Sequence, residues 1–310
     1  MLARLLLCTM ALLWALPAAA YPDRPIRLIV GAAAGGSNDL VARLIADALT
    51  PRLPQPVIVE NRSGGATMIA VELVARAASD GHTALLVNTA HAGLRAVVPN
   101  PAVDPHTSLA PVTVIAESPM VMLVANDHPA RNVQEFVALA RANPGKWDYG
   151  STGGGGTLGM GALLFMRAAG VSLNEVPYRG GGPAQLDLAA GRIAMLFDVG
   201  VSSFQTARAG LARAFAVTSA QRSPVAPEVP TLREAGVEAE MTVWQAILMP
   251  AATPLPIRAA LRDRIAEALA TAALRNRFAE LGADRVLGLS VPDSERYIAA
   301  EVARWETMLR

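Results

Sequence analysis

Ile26-Arg27-Leu28-Ile29-Val30, Gly31-Ala32-Ala33-Ala34-Gly35-Gly36 and Ser37-Asn38-Asp39 run on from one another, and their reading decides the fold. The first five residues are an apolar strand. Residues 38–53 set Leu40, Val41, Leu44, Ile45, Ala48 and Leu49 at helical spacing. A glycine-rich turn between a strand and a helix leaves the first-turn N–H groups unpaired and aimed at one point, where the helix dipole adds partial positive charge. Such a corner binds anions. A second corner of this kind is Gly150-Ser151-Thr152-Gly153-Gly154-Gly155-Gly156-Thr157, ahead of a helix expected over residues 158–169. Two anion-seeking corners in what read as two domains point to a cleft that closes on a carboxylate or a phosphate.

Outward from the first corner, the N-terminus reads as a leader. Arg4 supplies a positive start, Leu5 to Leu16 is almost wholly apolar, and Ala18-Ala19-Ala20 offers a small-residue cleavage site. Residues 1–20 are therefore expected to be a signal peptide cut between Ala20 and Tyr21. The apolar run is too short to span about 30 Å of hydrocarbon comfortably, which argues against a membrane anchor. Cys8, the one cysteine, leaves with the leader, so neither disulfide nor thiol chemistry is available afterwards. Export without disulfides fits a bacterial envelope protein better than a small secreted scaffold. The remaining chain of about 290 residues can fill two modest cores. Of the 27 Lys and Arg only Arg4 falls in the leader, so the exported chain balances its 26 Asp and Glu. A nucleic-acid binder would show a basic excess. Aromatic residues are 5%, which argues against a stacking platform for sugars or bases.

Strand and helix patterns alternate through the first hundred exported residues: strands at 57–59 and 83–87, and a helix over 66–78 with Ile69, Leu73 and Val74 inward. Short loops between them mean a parallel sheet. Residues 111–125 form a long β-rich stretch broken at Glu117-Ser118-Pro119, as a strand passing from one domain to another would be. Alternation resumes with a helix over 132–142, strands at 147–149, 175–178, 193–197 and 211–218, and a helix over 185–190. The β-rich run at 242–248 reads as the return crossing. The C-terminal part is helical, with Ser294 as N-cap of the last helix. The expected fold is α/β: two domains, each a mostly parallel sheet flanked by helices, joined by two crossing strands. Residues 21–117 with 243–310 form one domain and 118–242 the other.

Several constellations bear on chemistry. Ser37 or Asn38 can cap the first helix and Asp39 can complement its dipole, but capping alone does not call for Ala34-Gly35-Gly36. Gly154-x-Gly156-x-x-Gly159, with Glu175 beyond, matches a dinucleotide fingerprint. The preceding strand is short and polar, and Glu175 sits within an apparent strand and not at its end. The four histidines, His82, His91, His106 and His128, have no spacing that would hold a metal. Thr89 and His91 follow the third strand, where sites gather beyond the carboxyl ends of parallel strands. No serine-nucleophile elbow, S-x-x-K or H-E-x-x-H motif is present. Asp198, directly after an apolar run, is the carboxylate expected to face the cleft, with a cap or hinge role as the alternative.

Tyr21-Pro22-x-x-Pro25-Ile26-x-Leu28-Ile29-Val30, Ala34-Gly35-Gly36-x-x-Asp39, Val59-Glu60-Asn61-Arg62, Ala77-x-x-Asp80-Gly81, Ala142-Asn143-Pro144-Gly145-Lys146, Tyr149-Gly150-Ser151, Val176-Pro177-Tyr178-Arg179-Gly180, Phe197-Asp198, Ala216-Val217-Thr218-Ser219 and Val229-Pro230-Thr231 occur in this order. Over nearly its whole exported length the chain thereby resembles the Bug-type solute receptors of tripartite tricarboxylate transporters. The resemblance implies a type II-like periplasmic binding protein that takes a small organic acid between its domains by hinge closure. It then delivers the acid to membrane transporter subunits, acting as a monomer without cofactor, metal or nucleic acid. Ligand contacts are expected from Ala34, Gly35, Gly36, Ser37, Asp39, Thr89, His91, Ser151, Thr152, Gly155, Gly156, Thr157, Tyr178 and Asp198. The chain departs from the family pattern at Ala32-Ala33, where many relatives carry a proline and an aromatic residue. It departs again at Gly159-Met160, where many carry His-Leu, and at Arg179, in place of the usual Lys. Two alternatives stand beside transport: a ligand sensor feeding a membrane signalling protein, and an exported hydrolase using Ser151 or Ser37.

Overall fold

The structure, a computed structural model, describes residues 21–153 and 156–308. The expected signal peptide and Gly155 lie outside them. The chain runs β1 (Ile26–Val30), α1 (Ser37–Leu49), β2 (Val57–Asn61), α2 (Met68–Ala75), β3 (Thr83–Asn88), α3 (Leu94–Val97) and β4 (Leu109–Val124). It continues through α4 (Val133–Ala142), β5 (Asp148–Ser151), α5 (Thr157–Ala169), β6 (Asn174–Pro177), α6 (Gly181–Ala189), β7 (Met195–Val199), α7 (Gly200–Arg208) and β8 (Arg213–Val217). It closes with β9 (Thr242–Pro250), α8 (Leu255–Leu269), α9 (Ala272–Leu281), β10 (Arg285–Val286) and α10 (Val291–Met308).

Two parallel three-stranded units stand at the ends of one curled sheet ordered β2-β1-β3-β9-β4-β7-β5-β6. In the first, β1 pairs in parallel with β2 and β3. In the second, β5 pairs in parallel with β6 and β7. The two crossing strands between them are antiparallel, Glu117 of β4 standing opposite Trp244 of β9 and Ser118 opposite Val243. β4 is 16 residues long and unbroken, which corrects the expected interruption at residues 117–119. What changes there is its partner: through Pro119 it pairs with β9, and from Met120 with β7 and β8. Proline has no N–H to donate, so a strand loses no bond by placing one where its ladder switches sides.

The hydrophobic pattern produces these elements with a few corrections. One core cluster runs from Ile29 and Val30 through β4 and β9 to Phe136, Phe165 and Phe197, and a second packs Val121, Leu123, Leu188 and Leu196 on the other face of the second unit. The helix expected over 66–78 is only Met68–Ala75, preceded by a 3₁₀ turn in which Ala66 and Thr67 have φ of 51° and 75°. Starting two residues late turns Ile69 outward, 53% exposed, and buries Met68, Ala70, Val71 and Val74. The helix expected over 185–190 starts four residues earlier, at Gly181. Ser294 lies inside α10, where its hydroxyl accepts the Val114 N–H at 3.0 Å. The capping hydroxyl is that of Ser290, which accepts the Asp293 N–H at 3.2 Å.

Candidate functional site

A cavity of about 320 Å³ opens between the two parallel units, bounded by residues at the carboxyl ends of β1, β2, β3, β5 and β6 and by Asp198 of β7. Ligands of parallel α/β sheets bind at such ends, because loops and helix N-termini collect there. Three helices begin at the wall: α1 after Gly36, α5 after Gly156 and α6 after Gly180. Among the described residues none of the three is capped by a side chain. Their first-turn N–H groups lack helical acceptors, and an anion satisfies them while meeting the positive ends of the dipoles.

The two units touch across this cavity. Ala33 N–H donates to the Arg179 carbonyl at 3.4 Å, and Thr157 Oγ1 donates to Asn88 Oδ1 at 3.0 Å. Asn88 is itself fixed, accepting the Ala90 N–H at 3.1 Å and donating to Asn38 Oδ1 at 3.3 Å. Glycines of both units stand where the two backbones approach. A Cβ on Gly182 would lie 3.2 Å from the Ala34 carbonyl, and one on Gly36 would lie 3.7 Å from the Gly181 nitrogen.

Of the residues expected to contact ligand, Gly36, Ser37, Thr152, Gly156, Thr157, Tyr178 and Asp198 line the cavity. Ala34, Gly35, Asp39, Thr89, His91 and Ser151 do not, each for a physical reason. Asp39 accepts hydrogen bonds from Gly35 N–H, Arg43 Nε and Asn61 Nδ2, all at 3.0 Å. Burial alone would raise its carboxyl, but these bonds outweigh burial and hold it below the usual carboxylate range. Asp39 thus staples the first corner from behind and takes up the N–H of Gly35, while Ala34 turns its carbonyl toward Gly182. Thr89 is fully buried and accepts the Trp244 N–H at 2.9 Å. Ser151 donates a short hydrogen bond to Glu175 and accepts the Gly153 N–H at 2.8 Å, closing the second corner on itself.

His91 sits behind the cavity wall, 3% exposed, with its ring edge-on to His106 at 5.4 Å. Burial, and then the neighbouring His106, push its pKa down to about 3, so it is neutral near pH 7. The Tyr178 ring faces the cavity, but its hydroxyl donates to Asp187 at 2.8 Å. Burial, and then that bond, push the phenol up to about 12. Asp198 is 1% exposed, and burial raises its carboxyl against hydrogen bonds from Val199 N–H, Gln185 and Ser202. Among the described lining residues the only side chains of formally charged type are Asp198 and Arg179, so what the wall offers an anion is dipoles and not net charge.

Sequence reasoning missed Asn38, Asn88, the turn at 64–67 and, above all, Gly180-Gly181-Gly182. That triple glycine follows a strand and heads a helix, the same signal that marked the other two corners. The apolar wall of Leu94, Val97 and Leu158 left no signal beyond hydrophobicity. Among the described residues no cluster of three or more His, Cys, Asp or Glu could hold a metal.

The model of the tripartite tricarboxylate transporter family receptor matches residues 41–310. BugT of Bordetella pertussis is 33% identical over 295 residues, covering 94% of this chain and 90% of BugT. MatC of Rhodopseudomonas palustris, solved with bound malate, superposes with a TM-score of 0.89 at 31% identity, covering 94% of this chain and all of that one. Rpa4515 of R. palustris, solved with adipate, superposes with a TM-score of 0.89 at 35% identity, over 93% of this chain and 96% of the other. On the family match and the shared fold, the chain belongs to the Bug-type receptors of the tripartite tricarboxylate transporter family.

Proposed function

We propose that this protein captures a small organic acid between two domains and presents it to membrane subunits of a tripartite tricarboxylate-type transporter. The observation that carries the reading is the meeting of three uncapped glycine-led helix N-termini around one cavity. The proposed domains are residues 21–117 with 243–310, and residues 118–242. Each contributes corners: α1 from the first, α5 and α6 from the second. Closure about the paired crossing strands brings the two sets onto one ligand, and it follows only if the ligand binds the closed state better than the open one. Neutral donors suit a receptor that must also release its cargo. A micromolar complex needs about 8 kcal/mol, and several hydrogen bonds to a charged group at about 1.5–3 kcal/mol each supply much of it. The relatives solved with malate and with adipate support a carboxylate as the ligand class.

The proposal includes export by residues 1–20, action in the periplasm and a monomeric receptor. The hydrolase alternative loses one of its two candidates, since Ser151 pairs with Glu175 and a backbone N–H and stands outside the cavity lining, which leaves Ser37. A thermal-shift screen of residues 21–310 against mono-, di- and tricarboxylates, followed by titration calorimetry of the hits, tests the reading. At 100 times its dissociation constant a ligand adds about 2.7 kcal/mol of stability. Stabilisation confined to carboxylates supports the receptor. A folded protein that no carboxylate stabilises refutes it.

A further inference from the structure

A fourth helix, α7, begins beside the cavity, directly after a carboxylate of the protein itself. Ahead of α7, Asp198 Oδ1 accepts the Val199 N–H at 2.8 Å, and Oδ2 accepts Ser202 Oγ at 3.0 Å. Oδ2 also accepts Gln185 Nε2 at 2.5 Å. Gln185 cannot turn away without losing Thr206, whose hydroxyl donates to its Oε1 at 2.6 Å. The carboxylate is therefore fixed, with Oδ2 filled and one acceptor position of Oδ1 unused among the described residues. It lies in the cavity wall, and the residue beside it is a glycine: a Cβ on Gly181 would stand 2.8 Å from Oδ2 and 3.0 Å from Oδ1. A side chain there would displace the carboxylate or cover it.

A buried, immobile acceptor in a cavity built for anions discriminates. A bare carbon chain leaves Oδ1 short of a partner. A hydroxyl or ammonium fills the acceptor position, and sites built to bond such a group reject analogues that lack it. We infer that the ligand carries a hydrogen-bond donor, a hydroxyl or an ammonium, on the carbon beside its carboxylate, and that Asp198 receives it. This rests on the carboxylate-receptor reading.

The test is titration calorimetry of the exported protein with two matched series: succinate, malate and aspartate, then glutarate, 2-hydroxyglutarate and glutamate. In the series of the length that fits, the 2-hydroxy or 2-amino acid binds at least tenfold more tightly than the bare diacid. In Asp198→Asn that ratio falls below threefold. A bare diacid within threefold of both substituted acids in the wild-type protein overturns the assignment, as does a ratio unchanged in a folded Asp198→Asn. If that variant does not fold, the wild-type ratio alone decides. Failure of every acid in both series refutes the receptor reading and takes this inference with it.

Discussion

Thr157 at the start of α5 donates its hydroxyl to Asn88 Oδ1 at the end of β3, 3.0 Å away across the cavity between the two units. The bond joins the two parallel units and has no local counterpart in either. Thr157→Val keeps the side-chain shape and removes the donor. Asn88 Oδ1 keeps the Ala90 N–H, so the loss is one net hydrogen bond, about 0.5–1.5 kcal/mol or a two- to twelvefold loss of affinity. Calorimetry with the ligand identified by the screen reads this directly. Affinity within twofold of wild type would show that the bond plays no part in closure.

Gly36 and Gly156 head two of the corners, yet substitution should act differently at each. A Cβ on Gly36 meets nothing nearer than 3.7 Å, and two of the three neighbours it does meet, Gly181 and Gly182, belong to the other unit. Gly36→Val should therefore fold normally and lose ligand affinity by at least 100-fold, because its branches occupy the space between the units. At Gly156 a Cβ collides with Thr152, its Cβ 2.7 Å away, so Gly156→Val rebuilds the second corner itself. Both affinity and melting temperature should fall there. Equal melting temperatures for the two variants would contradict the distinction.

The two corners were legible in the sequence because a strand, a glycine run and a helical stripe follow one another without interruption. The crossing strands were legible too, since long apolar β-runs with no helix between them have few other uses. What the sequence withheld were the partners of polar residues. Asp39 and Ser151 sit in motifs that invite a ligand, and only the fold shows them bound by Arg43, Asn61 and Glu175 in service of the turn. Thr89 stands beyond a strand end but faces Trp244, a residue distant in sequence. Gly180-Gly181-Gly182 was passed over because no helix was expected before residue 185, and the apolar face of α6 carries little periodicity at its glycine end.

Glu117 holds the crossing together from one side. It accepts the Tyr297 hydroxyl at 2.6 Å and Arg285 at 2.9 Å, while the opposite residue, Trp244, donates to Glu301 of the same helix at 3.0 Å. Helix α10 thus clasps both crossing strands at the site of the proposed bend. Tyr297→Phe removes one bond to a partly buried carboxylate and should cost about 1.5–3 kcal/mol. For a chain of this size that lowers the melting temperature by several degrees. Ligand affinity should shift less than stability, because the bond lies on one side of the bend in open and closed forms alike. A larger loss in affinity than in stability would assign α10 a direct part in closure.

His91 ties stability to pH. Its folded pKa, pushed down to about 3 by burial and by His106, lies below the ordinary histidine value of about 6.5. Below pH 6.5 the unfolded chain takes up a proton that the folded chain refuses, so stability falls as pH falls through that range. At pH 5 one such histidine accounts for about 2 kcal/mol, all of it absent at pH 7.5. His106 and His128 are lowered as well, both chiefly by burial, and add to the same slope. Urea unfolding at pH 7.5 and pH 5.0 should show a drop in wild type that shrinks by about 2 kcal/mol in His91→Asn. An identical drop in both proteins would mean that the His91 ring is protonated in the folded state, and that the pocket behind the ligand cavity admits water.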